Sequence, residues 1–201
     1  GREVIIQKPH RNGYDHAVRT AGVTLLEVGQ AGRVSPEQIE AAIHADTVAI
    51  LFVFGETIDR RGEVSLKDIV DIGKRRGVPI ILDASVANYP FDRLQEFAAL
   101  GIDLITTSGG KHIFGPPGTG FLFGRQDLMD VCRLMANPIH GIGRPLKIGK
   151  EEIVGLVTAL EIYVERDVEA EHRGWETSVR TMAEALADLP HATVTITAAD
   201  E

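Results

Sequence analysis

Val78-Pro-Ile-Ile-Leu-Asp83 and Leu104-Ile-Thr-Thr-Ser-Gly-Gly-Lys111 decide how this chain is read. Each is an apolar, β-branched run that stops where a turn of small and polar residues begins. Between them, Phe91 to Leu100 is amphipathic at helical spacing and is closed by Gly101. A strand, a helix and a second strand in this length form one βαβ unit. Its right-handed crossover puts both strand ends on one edge of a parallel sheet. Asp83 and Lys111 then stand at neighbouring carboxyl ends, where open α/β folds place their ligands.

Working outward, the same alternation continues on both sides. Glu3-Val-Ile-Ile-Gln7 and Gly22-Val-Thr-Leu-Leu-Glu-Val-Gly29 read as strands. Ser35-Pro-Glu-Gln38 starts a helix twice over, with a Ser cap answered by Gln three residues on and Pro at the first helical position. Val48-Ala-Ile-Leu-Phe-Val-Phe54 is an unbroken apolar run, the mark of a strand covered on both faces. Ser65-Leu-Lys-Asp68 caps a helix that ends at Gly77, and Gly120-Phe-Leu-Phe-Gly124 is a further strand. Capped helices alternating with buried strands predict an α/β fold with a mostly parallel, doubly wound sheet.

Beyond Asp127 the character changes. Leu128 to Ala136 is helical, and Asn137 to Lys150 is a crossover broken by Gly and Pro. Glu152 to about Val168 reads as a long helix with a buried face at Ile153, Leu156, Val157, Leu160 and Val164. Another helix is expected over 176–188. Ala192-Thr-Val-Thr-Ile-Thr197 alternates like a strand and would open a smaller α+β domain. Residues 1–150 are thus expected to form a major domain, and 151–201 a linking helix and the start of a second. A chain that begins and ends on strands without neighbours is expected to be a segment of a longer protein.

Composition narrows the chemistry. The 201 residues carry a formal charge of −8, which argues against nucleic acid as a general partner because phosphate binding needs a basic stripe. Arg60-Arg61 and Lys74-Arg75-Arg76 read as a solvated loop and helix end. No apolar run reaches membrane-spanning length, and the start lacks a signal-peptide pattern. One cysteine, Cys132, excludes an internal disulfide framework and fits a reducing, cytoplasmic setting. It is expected as a buried thiol in a helix. The histidines are scattered, with no metal-ligand spacing. Gly115-Pro-Pro-Gly-Thr-Gly120 imitates a phosphate-binding P-loop but lacks its Gly-Lys-Ser/Thr ending, so ATPase chemistry is rejected.

A lysine and a carboxylate at adjoining strand ends are what pyridoxal phosphate demands: an amine for a Schiff base and an acid for the pyridine nitrogen. Lys111, behind the permissive Ser108-Gly109-Gly110, is the expected Schiff-base lysine, against the plain alternative of a solvated loop lysine. Asp83 is the expected partner of the ring nitrogen, against the alternative of a turn cap. Ala84-Ser85 leaves room for a flat ring. Ser108, or Thr107, is a candidate phosphate contact and equally an ordinary turn residue. His10 and Tyr14, after the first strand, are candidates to touch the ring or the substrate. A satisfied loop histidine fits His10 as well.

Asp83-Ala-Ser85, Thr107-Ser-Gly-Gly-Lys111 and Gly115-Pro-Pro-Gly-Thr-Gly-Phe-Leu-Phe-Gly124 together resemble the fold-type I pyridoxal-phosphate enzymes, the aspartate aminotransferase superfamily. Lys8-Pro-His-Arg-Asn-Gly-Tyr14 and Gly143-Arg-Pro-Leu-Lys-Ile-Gly-Lys150 resemble its branch of L-seryl-tRNA(Sec) selenium transferases and D-glucosaminate-6-phosphate ammonia lyase-like proteins. The resemblance implies pyridoxal 5'-phosphate as cofactor, with Lys111, Asp83, Ser85 and Ser108 around it. It also implies active sites shared in a homodimer or higher homo-oligomer, with Arg144 meeting a substrate anion or a neighbouring subunit. Val86 and Pro117 depart from the pattern, standing where many relatives carry a ring-hydroxyl contact and a phosphate-reaching Thr. The Gly-rich phosphate cradle is expected upstream of Gly1, so the 201 residues alone should bind cofactor weakly.

The function expected is a pyridoxal-phosphate enzyme acting on a small amino acid or amino sugar, by preference a β-eliminating lyase. The alternatives are a transferase, selenium transferase-like or aminotransferase-like, and a non-catalytic relative that keeps only the fold. A nicotinamide-binding Rossmann domain ranks last, because no strand is followed by Gly-x-Gly-x-x-Gly.

Overall fold

The computed structural model describes residues 1–30, 32–54 and 62–197. Arg60 and Arg61 lie outside the described residues. Among the described residues six strands form one sheet: β1 (Glu3–Gln7), β2 (Thr24–Val28), β3 (Thr47–Val53), β4 (Ile80–Asp83), β5 (Leu104–Ser108) and β6 (Gly120–Gly124). Their spatial order is β2-β1-β3-β4-β5-β6. Every pairing is parallel except β5 with β6, which is antiparallel. The expected mostly parallel α/β sheet is what the chain forms.

Alternation along the strands explains the two-sided burial. Ile5, Ile50, Phe52, Ile80, Leu82 and Ile105 face one side and pack with residues of α2 (Pro36–Ala42), α3 (Leu66–Arg76) and α4 (Asp92–Ala99). Val4, Ile6, Ala49, Leu51 and Val53 face the other, against Val18 of α1 (His16–Thr20) and Val23. The run 49–53 is buried throughout, which is why it carries no polar alternate.

The helix boundaries follow their caps. Ser35 and Gln38 close a full capping box on α2. Ser65 Oγ accepts the Asp68 N–H at 3.1 Å and donates to the Asp68 carboxylate at 2.7 Å, starting α3. At its other end Gly77 takes a left-handed φ of 66°. Lys74, Arg75 and Arg76 fill that last turn, where the helix dipole favours cations.

The later elements depart from expectation in particular ways. The helix α5 spans Gln126–Met135 and leaves Cys132 half-buried rather than buried. The helix α6 runs Lys150–Val164 and buries Leu156 and Tyr163, with Ala159 and Leu160 packed beside them. Ile153, Val157 and Val164, expected on that face, are exposed. A helix apolar on every side carries no stripe to orient it, so spacing alone could not choose the face. The next helix, α7 (Val168–Leu186), starts well before 176 because Asp167 caps it, accepting the Ala170 N–H at 2.9 Å. Residues 192–197 form no strand. Among the described residues their alternation has no neighbouring strand to complete a hydrogen-bonded ladder, which a strand requires.

The chain divides into two compact units, 1–163 and 164–201. The first holds the sheet and nearly all of α6. The second holds α7, where Trp175, Val179, Met182 and Leu186 make an exposed apolar stripe.

Candidate active site at the carboxyl edge of the sheet

Asp83 ends β4 and is the in-register partner of Thr106 on β5. Its backbone is tied on both sides: its carbonyl accepts the Phe54 N–H at 2.9 Å, and the next N–H, of Ala84, reaches the Thr106 carbonyl at 2.9 Å. The side chain is half-buried. Its Oδ1 accepts the Ser85 N–H at 3.0 Å and the Ser85 hydroxyl at 2.5 Å. Its Oδ2 has no hydrogen-bond partner among the described residues. The turn-capping role of Asp83 therefore occupies one oxygen and leaves the other unpartnered among the described residues.

Lys111 is exposed on the turn that follows β5, at the same edge of the sheet as Asp83. The turn is closed upon itself. The Gly115 N–H donates to the Gly109 carbonyl at 2.7 Å, the Phe114 N–H to the Lys111 carbonyl at 2.9 Å, and the Gly109 N–H to the Thr119 carbonyl at 2.9 Å. Glycine is required at 110, where a Cβ would lie 2.6 Å from the Pro117 Cα. Within the turn, side chains alternate. Lys111 and Phe114 are exposed, while Ile113 is buried against Leu156 and Tyr163.

The remaining candidates separate. Ser85 joins Asp83 directly. Ser108 ends β5 half-buried, and its carbonyl accepts from Asn88 at 3.1 Å. Thr107 is buried with its hydroxyl fully engaged, donating to the Ala84 carbonyl at 3.2 Å and accepting from Asn88 at 2.8 Å. His10 is wholly enclosed. Its Nδ1 accepts the Val53 N–H at 3.3 Å, so Nε2 carries the proton and donates to Glu63 at 2.7 Å. Phe52 packs edge-on against the ring at 4.4 Å between centroids. His10 is thus the satisfied interior histidine. Tyr14 is 82% exposed. Arg144 is half-buried in the crossover after α5 and makes no ion pair among the described residues.

Sequence reasoning missed two polar groups. Gln7 is buried and pairs its amide with both backbone groups of Val64, at 3.0 and 2.7 Å. With His10 and Glu63 it ties the chain entering α3 to the ends of β1 and β3. Asn88 is also wholly buried and joins Thr107, Ser108, His112 and Tyr163. A lone amide inside the small, apolar Ala84–Pro90 stretch was the available signal for it.

Beside His10 lies a surface ion network. Arg11 donates to the buried Asp15 at 2.5 Å and to Glu27 at 2.7 Å. The Asp15 hydrogen bond first, helped by the Asp15 charge and by the hydrogen bond and charge of Glu27, raises the Arg11 pKa, and desolvation opposes it. Among the described residues no His, Cys, Asp and Glu cluster could hold a metal ion. None of their helices is long and apolar enough to cross a membrane.

Comparison with known proteins places these features in context. The family model of SelA, L-seryl-tRNA selenium transferase, matches residues 15–186. The 5'-C-glycyluridine monooxygenase-decarboxylase of a Streptomyces species is 34% identical over 168 residues, covering 80% of this chain and 40% of that protein. The D-glucosaminate-6-phosphate ammonia lyase of Salmonella typhimurium is 34% identical over 165 residues, covering 80% and 42%. A solved structure of D-glucosaminate-6-phosphate ammonia-lyase superposes with a TM-score of 0.78 at 31% identity, over 94% of this chain and 49% of that one. The chain spans about two fifths of the length of the curated relatives it matches.

Proposed function

The chain belongs to the L-seryl-tRNA selenium transferase family, a family of pyridoxal-phosphate-dependent enzymes, and from that premise we propose that Lys111 and Asp83 are its cofactor-holding pair. The observation that carries the reading is the half-buried Asp83 carboxylate, with Oδ1 held by Ser85 and Oδ2 unpartnered among the described residues. An acid so placed fits a protonated pyridine nitrogen. Lys111 stands on the adjoining strand's turn at the same sheet edge, which fits an amine tied to the aldehyde carbon of that ring.

When bound, pyridoxal phosphate supplies a sink for electrons released at a substrate carbon. Asp83 would hold the ring nitrogen and favour its protonated form. Lys111 would supply the amine that holds the cofactor, and the same amine would carry a proton to or from the substrate α-carbon. Ser108 supports the phosphate end, whereas the internally engaged hydroxyl of Thr107 has other work.

The substrate we infer is a small amine-bearing molecule, an amino acid or amino sugar, and the reaction a β-elimination. The 34% identity to an ammonia lyase supports this choice. Transfer chemistry is the second reading, favoured by the family model itself. A fold-only descendant is disfavoured because it would need neither Lys111 nor Asp83.

The test uses the full-length protein. Cofactor absorbance near about 420 nm is expected, with a pyridoxyl adduct on Lys111 after borohydride reduction and mass mapping. Lys111→Ala should lose both. Equal cofactor uptake by wild type and variant would refute the assignment. Release of ammonia from a 2-amino sugar acid phosphate decides for elimination, and its absence in a cofactor-loaded protein decides against it.

A further inference from the structure

The geometry points to Asn88 and His112 as the positioning pair for Lys111. The inference rests on the assignment of Lys111 above and concerns what sets the location of its amine. His112 follows Lys111 directly, and its Nδ1 lies 3.0 Å from Asn88 Oδ1. Which atom donates is fixed by chemistry. The Ser108 carbonyl can only accept, so the Asn88 atom at 3.1 Å from it is the amide nitrogen. The oxygen facing His112 is then an acceptor, and His112 Nδ1 carries the proton.

The same amide nitrogen donates to the Thr107 hydroxyl at 2.8 Å, and the Asn88 backbone carbonyl accepts the Tyr163 hydroxyl. One wholly buried side chain and its carbonyl therefore join the loop after β4, the last residues of β5, the Lys111 turn and α6. Asp83 heads that loop, and Lys111 sits in that turn. The β4–β5 ladder fixes the strand ends, and Asn88 adds the side-chain link from the Asp83 loop to the Lys111 turn beyond them.

A stability role alone explains this poorly. Two well-packed apolar residues would hold the same elements without the cost of dehydrating an amide and an imidazole. A fully satisfied buried network instead selects one arrangement, because each alternative leaves a group unpaired. Ile113 gives the turn an apolar anchor. An apolar contact tolerates sliding, whereas the His112–Asn88 bond fixes the rotation of the turn and hence where residue 111 points.

The experiment compares full-length wild type, His112→Ala and His112→Asn. The readout is the rate at which borohydride traps pyridoxal phosphate on Lys111, mapped by mass spectrometry, beside a melting curve for each protein. His112→Ala is expected to slow trapping about tenfold or more, since a misplacement near 1 Å can cost up to about 100-fold. His112→Asn, whose amide nitrogen is attached to Cγ as Nδ1 is and can still donate to Asn88, should recover most of the rate. Wild-type trapping in His112→Ala overturns the inference. So does a loss in His112→Asn equal to that in His112→Ala, or a loss in the alanine variant that only follows its unfolding. A wild-type protein without an adduct on Lys111 is a different result, which removes the cofactor assignment and this inference with it.

Discussion

Asp83 and Ser85 close a short turn on each other: one carboxylate oxygen takes both the Ser85 N–H and the Ser85 hydroxyl, at 3.0 and 2.5 Å. That arrangement sets the plane of the carboxylate and so aims the second oxygen. A hydrogen bond to a charged group contributes about 1.5–3 kcal/mol, and about 1.4 kcal/mol is tenfold in affinity. Ser85→Ala should therefore weaken pyridoxal phosphate binding about tenfold or more, and Asp83→Ala should abolish it, in fluorescence titrations of the full-length protein. A Ser85→Ala variant that binds like wild type would detach Ser85 from the site.

The Lys111 turn has no room at residue 110. Gly110→Ala places a methyl group 2.6 Å from the backbone of Pro117, so the turn must shift. The expected cost is about 1–3 kcal/mol of stability, together with slower trapping at Lys111. Gly13→Ala is the control, since nothing lies within 4 Å of the added carbon. Thermal melts of the two variants should differ in the stated order.

Gln7 holds Val64 as a neighbouring strand would. Gln7→Leu keeps the bulk but orphans a buried N–H and a buried C=O. Each orphaned group costs about 1–3 kcal/mol. The urea midpoint should fall while the slope of the transition stays constant, since the surface exposed on unfolding is unchanged.

Acid should act gently at first. The hydrogen bond from Lys67 holds the Asp71 carboxyl below its ordinary value of 3.8, and the hydrogen bond from Arg125 does the same for Asp127. A carboxyl lowered by folding stabilises the fold above its unfolded value, and that contribution fades as pH falls through the lowered one. Both groups are solvent-exposed, so salt should weaken the effect. These two pairs are expected to add nothing to the change in melting temperature between pH 8 and pH 5, and to weaken only below about pH 4. Arg125→Ala and Lys67→Ala, melted across that range, check it.

The sheet was legible because its signals are local. The apolar run 48–54, the Ser35 and Ser65 caps and the stop at Gly77 each belong to a few consecutive residues, and each lies where it was expected. That β4 and β5 end on one edge of a parallel sheet was expected from a single strand–helix–strand unit, whereas the register of Asp83 opposite Thr106 came only from the structure. What escaped depends on distant partners. Nothing near Asn88 in sequence announces Thr107, His112 or Tyr163, and nothing near His10 announces Glu63. The buried face of α6 was misread because a helix apolar all round gives periodicity no contrast. The terminal alternation 192–197 was misread because a pattern is not a ladder.

The acid and the amine are carried by consecutive strands joined through one helix, which bears on how the site comes into being. Closing so short a stretch of chain costs little entropy, and lengthening it would add little more. β3, β4, β5 and β6 lie side by side in the order in which the chain supplies them. Both walls of the candidate site can thus be brought together by successive segments alone, with no distant stretch of chain as a go-between.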